Sequence, residues 1–332
     1  MTMVPFRLSR RALLGTASLL AVPLGGGIAA AAESDFQGFL AGVQRDASAQ
    51  GVRPATIQAA FRSIQFLPKV VELDRRQPER KMTFGEYLQK VVTQQRLDDA
   101  RQHLVDNWAL LQQVRQRFNV QPRFVVALWG VESDFGRTMG SYFVPSALAT
   151  LAYEGRRGAM FRAELIAALK ILDQGNVRID NMVGSWAGAM GQCQFMPTTF
   201  LQYAVDFNGD GRRDIWTDRT DVLGSIANYV SRLGWRGNES WGQQVLVPGN
   251  FDGRLADLGS RRTTAEWAQL GVRPAGNAQF TGREPAGSLV LPDGAGGTAL
   301  LVYDNFRTIK KWNNSTFFAA AVGYIADSID RA

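Results

Sequence analysis

The sequence predicts a mainly α protein of the α+β class, a helical body interrupted by a small β-rich insertion. Two observations predict it. Apolar residues recur at helical spacing from residue 33 to about 240 and again near the end. Between about 241 and 306, short apolar runs of strand length alternate with Gly, Pro, Asn and Asp.

Taken in order, residues 33–118 form an N-terminal helical region. Phe36, Phe39, Leu40 and Val43 share a helical stripe, and Pro54 sits where a helix opens just after its cap. The stretch from Thr83 to Leu111 predicts one long helix, rich in Gln, Arg and Lys outside its apolar stripe. Residues 119–240 form the next region. Pro122 opens a helix running through Val125-Val126-Ala127-Leu128 to Glu132, and Gly136 and Gly140 end the pattern. Residues 160–173 form a further amphipathic helix, and helical periodicity returns at Val222–Leu233 and again at Thr316–Ile329. Val245–Pro248, Ser288–Leu291 and Ala299–Tyr303 are the strands of the insertion, and 307–332 is a C-terminal helix returning to the helical body.

Residues 1–32 carry Arg7, Arg10 and Arg11, no acidic residue, an apolar run and Ala30-Ala31-Ala32 as a cleavage site. Ser9-Arg10-Arg11-Ala12-Leu13-Leu14 matches a twin-arginine export signal. The run is too short and too broken by Gly25-Gly26-Gly27 for a stable membrane span, and no cysteine is near to carry a lipid. A periplasmic, non-lipoprotein, monomeric chain is therefore expected. Cys193 is the only cysteine, so stability must come from packing and not from a disulfide. Formal net charge is +7, of which the three leader arginines supply three, leaving +4. That mild excess suits an anionic polymer, and no basic block or nucleic-acid motif accompanies it.

The chemistry concentrates in two segments. Phe124, Leu128 and Glu132 share one helical face, so a carboxyl continues an apolar surface. Burial penalises its charged form and suits it to general acid catalysis. A structural glutamate paired with Arg137 is the competing reading. Asp134, two residues on, points elsewhere on a continuing helix. The second segment, Gly184 through Pro197, is a glycine-rich turn that presents Ser185 and Gln194 on short stems. The lone histidine, His103, is remote in sequence from Cys193, which reads as a buried apolar residue.

Asp206-Phe207-Asn208-Gly209-Asp210-Gly211 matches the start of an EF-hand loop, with ligands at positions 1, 3 and 5 and glycine at 6. The Arg212 carbonyl follows at position 7. Position 12 is Thr217 where the motif has Glu, so a longer loop closed by Asp218 or Asp221 is required for Ca2+.

These segments together make the chain resemble the lytic murein transglycosylases of the membrane-bound B type, the soluble 35-kilodalton lysozyme-like class. The resemblance covers nearly the whole mature chain and is densest from Arg123 to Trp235, its most specific pieces being Glu132–Arg137, Gly184–Pro197, Tyr203–Phe207 and Gly224–Tyr229. It implies a lysozyme-like catalytic core at 119–240 that acts on peptidoglycan glycan strands with no cofactor in the chemistry. It implies Glu132 as the single acid/base, and Ser185, Gln194, Tyr87, Tyr229, Trp312 and Asn313 as substrate contacts. Tryptophan at 312 stands where the family has tyrosine. The family's longer calcium loop favours Asp206, Asn208, Asp210, Arg212 and Asp221 as ligands of a structural Ca2+. The implied reaction cleaves the MurNAc–GlcNAc β-1,4 bond and leaves 1,6-anhydro-MurNAc ends. A hydrolytic muramidase with Asp134 or Asp180 as second carboxylate, and a non-catalytic peptidoglycan-binding protein, are the alternatives.

Overall fold

Prolines and polar caps set where the helices begin. The computed structural model describes residues 26–76, 82–276 and 279–330. The expected export signal therefore lies largely outside the described residues. Pro54 and Pro122 occupy the first turns of α2 (Pro54–Phe61) and α7 (Pro122–Ser133), where a missing N–H leaves no bond unmade. α1 is Gly26–Ala49 and α3 is Pro68–Arg75. The single helix expected over 83–111 is instead three, α4 (Phe84–Val91), α5 (Gln94–Asp106) and α6 (Trp108–Phe118). Local capping overrides the continuous apolar stripe. Thr83 and Glu86 form a reciprocal capping box at α4, and the Thr93 hydroxyl accepts from the Arg96 N–H to start α5 afresh.

Strand β1 (Tyr142–Phe143) leads into α8 (Val144–Glu154) and α9 (Gly158–Asp173). β2 (Val183–Gly184) pairs antiparallel with β1, Tyr142 opposite Gly184. Then come α10 (Pro197–Tyr203) and α11 (Arg219–Arg232). β3 (Gly242–Leu246), α12 (Thr264–Gln269), β4 (Arg273–Pro274), β5 (Ser288–Val290) and β6 (Ala299–Val302) follow. The expected C-terminal helix is two, α13 (Asp304–Trp312) and α14 (Thr316–Ile329), separated where the Ser315 hydroxyl caps the second.

The described residues fall into two units, each discontinuous in sequence. One comprises 26–76 and 135–225, the other 82–134 and 226–330. In the first, α8 and α9 pack side by side, and α1, α2 and α10 pack on α9. Asp173 at the end of α9 takes Arg53 and Thr56 of α2, and Glu164 accepts from both the N–H and the hydroxyl of Thr198 at the start of α10.

The second unit is built around α7. Phe124 through Leu128 are fully buried, so this helix is apolar on every side and must be enclosed by α5, α6 and α14. α14 packs on it, and its Ala319, Ala320 and Ala321 are fully buried. An antiparallel sheet in the order β4-β3-β6-β5 covers a separate cluster of Val245, Trp267, Val272, Leu289 and Leu301. All the expected strand runs contribute to it. Trp241, just before β3, is pinned by its Nε1–H to Asp327 at 2.8 Å and lies against Tyr324 of α14.

Gly323 is the contact that lets Trp241 sit there, because a Cβ at this position would fall 2.2 Å from the indole ring. Gly323→Ala should therefore destabilise the protein by about 2 kcal/mol through overpacking, measurable as a lower urea midpoint with an unchanged slope.

Candidate active site

Within the unit containing α7, the structure brings Glu132, Trp312 and Tyr229 together. Glu132 lies in the last turn of α7 and is half-buried, following the enclosed Phe124 and Leu128 on the same face. The indole Nε1–H of Trp312 donates to Glu132 Oε1 at 2.6 Å. Tyr229 of α11 lies against the same indole, ring centroids 4.8 Å apart and planes inclined by 36°. Trp312 and Tyr229 are both buried.

Trp312 is held by its helix. At the start of α13, the Asn305 side chain donates to the carbonyls of Arg236 and Glu239 and accepts from the Arg236 N–H. Near the end, Lys311 Nζ donates to the Leu233 carbonyl at 2.8 Å. The next residue, Asn313, is buried, and its Oδ1 finds no hydrogen-bond partner among the described residues. Tyr87 of α4 packs on Phe317.

α7 stops at Ser133 because Asp134 turns left-handed, with φ 52°. The helix thus ends one residue past Glu132, and Asp134 is turned away by the backbone. Its carboxylate forms an ion pair with Arg96 of α5 at 3.2 Å. Phe135 follows at φ 57°. Non-glycine residues in this region cost about 1–2 kcal/mol each, and such strain gathers at functional sites. Arg137, the alternative partner considered for Glu132, has its guanidinium over the Phe135 ring at 5.7 Å.

The other unit holds Ser185 and Gln194 on one turn. The Ser185 hydroxyl accepts from the Ala189 N–H, and Met190 exchanges backbone hydrogen bonds with Phe195. Gln194 adopts φ 50°, and its Nε2 donates to the carbonyls of Met139 and Gly191. Both side chains therefore brace the turn. Cys193 is buried, with Sγ 3.5 Å from the Val222 carbonyl, consistent with its apolar reading. Asp180 is exposed and lines a cavity of about 530 Å3 together with Arg62, Gln65 and Tyr142.

The 206–221 loop belongs to the same unit. Asp206 accepts from the N–H groups of Gly209, Asp210 and Gly211, and Asp210 from that of Arg212. The buried Asp221 accepts from Phe207 and Asp214, and burial lifts its pKa to about 6 with Asp218 and Asp206 adding to the rise. Asn208 Nδ2 donates to Asp218 at 2.7 Å. These are hard oxygen donors of the kind calcium takes, although among the described residues no three acidic, His or Cys side chains converge on one point.

Residues 35–327 match the family described as Transglycosylase SLT domain. The chain belongs to that family. It is similar to the membrane-bound lytic murein transglycosylase B of Escherichia coli (strain K12), at 36% identity over 217 residues. The alignment covers 64% of this chain and 58% of that one, so the chain spans less than two thirds of that relative's length. Among solved structures it is similar to SltB3 from Pseudomonas aeruginosa in complex with NAG-anhNAM-pentapeptide, at 44% identity and a TM-score of 0.85. That match covers 89% of this chain and 79% of the other. It is also similar to the E. coli lytic transglycosylase Slt35 in complex with calcium, at 28% identity and a TM-score of 0.74, covering 89% and 92%. The transglycosylases thus share its mainly helical, lysozyme-like fold with a small β-rich part.

Sequence reasoning did not find the Trp312–Glu132 bond or the Arg96–Asp134 pair. Their partners are 180 and 38 residues apart, and no local pattern signals either.

Gly140 is the backbone position on which the Ser185 turn most depends. It has φ +89°, and a Cβ there would stand 2.2 Å from the Gly184 carbonyl oxygen and 2.7 Å from the Ser185 nitrogen. Gly140→Ala should lower stability by about 2–4 kcal/mol, read by thermal unfolding, because strain and overlap add.

Proposed function

We propose that this chain is a lytic transglycosylase that cleaves the β-1,4 bond from MurNAc to GlcNAc in peptidoglycan and leaves 1,6-anhydro-MurNAc ends. The observation that carries the reading is a lone carboxyl, Glu132, at the end of an enclosed helix with an indole N–H on one oxygen. Membership of the SLT family supports it, as do relatives named as lytic transglycosylases and one bound to a muropeptide with an anhydro sugar.

In this mechanism Glu132 protonates the oxygen linking the two sugars. Positive charge at the muramic carbon is met by the neighbouring N-acetyl group and by fixed dipoles. The ionised Glu132 then takes the proton of the C6 hydroxyl, which attacks the muramic carbon to close the anhydro ring. An internal nucleophile removes the need for a second carboxylate. Asp134 is committed to Arg96, which favours this route over hydrolysis. Tyr87, Tyr229, Trp312 and Asn313 are proposed as substrate contacts by the edges of these buried side chains, with Asn313 Oδ1 as an acceptor for a substrate N–H or O–H. Ser185 and Gln194 act as the polar edge of the braced turn.

The Asp206, Asn208, Asp210, Arg212 carbonyl and Asp221 set is proposed to hold a structural Ca2+ that ties the loop to α11. The cation supplies no step in the reaction. Export through the twin-arginine signal to the periplasm completes the reading. No helix of the described residues is long and apolar enough to cross a membrane.

Digestion of purified sacculi followed by mass spectrometry tests the chemistry. The wild type should release products lacking one water relative to hydrolytic ends, and Glu132→Gln should lose activity by roughly a thousandfold or more. Reducing, hydrated ends would instead establish a muramidase. Calcium at about a hundredfold excess over its dissociation constant should raise the melting temperature by about 5 °C, and Asp221→Asn should abolish that rise.

A further inference from the structure

The bond between Trp312 and Glu132 constrains which carboxyl oxygen moves the proton. An indole N–H donates and never accepts. Glu132 Oε1 therefore receives a donor in both protonation states. In a neutral carboxyl the better acceptor is the carbonyl oxygen, and the hydroxyl proton belongs to the other oxygen. We propose that Trp312 is a positioning residue that makes Oε2 of Glu132 the atom delivering the proton to the glycosidic oxygen and recovering it from the C6 hydroxyl. This rests on Glu132 being the acid/base of the proposed reaction.

The indole suits this role because it is fixed. It is buried against Tyr229, at the end of a helix anchored by Asn305 and Lys311. A phenol at the same place would donate or accept by rotating its hydroxyl, so either carboxyl oxygen could carry the proton. Tryptophan removes that choice. The same bond biases the proton equilibrium, since a donor binds the charged carboxylate more strongly than the neutral acid. Burial acts in the opposite sense. Charged and titratable groups on α7 and the elements around it include Arg96 with Asp134, His103 with its ring tilted against Trp129, Lys310 and Lys311 on α13, and Arg123 with Asp327. All remain in a variant changed only at 312.

The test compares kcat and kcat/KM across pH for the wild type, Trp312→Phe and Trp312→Tyr on a soluble muropeptide. The alkaline limb of kcat/KM reports loss of the Glu132 proton in the free enzyme. Removing a donor that favours the charged form makes that proton harder to lose. The limb should accordingly move to higher pH by about one unit in Trp312→Phe. In the same variant kcat should fall roughly ten- to a hundredfold with KM little changed. Trp312→Tyr should return the limb toward the wild-type position.

An unmoved limb in Trp312→Phe, or a tyrosine variant indistinguishable from it, overturns the proposal. A second measurement needs no change at 312. In the 15N-labelled wild type, the Trp312 indole resonance should shift with the midpoint of the alkaline limb, and a resonance indifferent to pH overturns the proposal even if Trp312→Phe fails to fold. Retained activity in Glu132→Gln would sink the parent reading instead. An inactive Glu132→Gln beside an unmoved limb sinks only the role given to Trp312.

Discussion

A carboxyl group is kept at the edge of an apolar enclosure, and the structure around it follows from that demand. α7 buries every side, so it needs neighbours all round, and α5, α6 and α14 supply them. The helix can carry an ionisable group only at its end, where the chain turns out of the core. The left-handed pair Asp134-Phe135 makes that turn. Arg96 then holds the Asp134 carboxylate, which leaves Glu132 as the acid presented by the terminus. Enclosure, exit and charge separation are three aspects of one constraint.

Trp312 supplies the compensating polarity. A half-buried carboxyl without a donor would be driven toward its neutral form, and one surrounded by cations would be locked in its charged form. A neutral donor such as the Trp312 indole lies between those extremes. The anchoring of α13 by Asn305 and Lys311 therefore fixes where the indole meets the carboxyl.

Much of this was legible in the sequence because the signals were local. Pro54 and Pro122 mark helix starts through their own covalent geometry, and the strand runs are bounded by turn residues that force the chain round. The Phe124–Leu128–Glu132 face follows from helical spacing alone. Where reading failed, a side chain competed with periodicity. Thr93 begins a new helix inside a stretch that reads as one continuous helix. The Trp312–Glu132 bond was beyond reach for another reason. It joins segments far apart in the chain, and its donor sits at a position where resemblance suggested a substrate contact. The Ser185 turn was visible through its glycines, whereas the bracing of Gln194 on Met139 was not.

The unit around α7 is assembled from two stretches with the whole of the other unit's 135–225 segment threaded between them. During synthesis the helix bearing Glu132 emerges long before α14, the element that covers it. Until α13 and α14 have been made, that helix has an uncovered apolar flank and its carboxyl has no indole beside it. In the nascent chain this apolar surface must be sheltered by something other than its native neighbour.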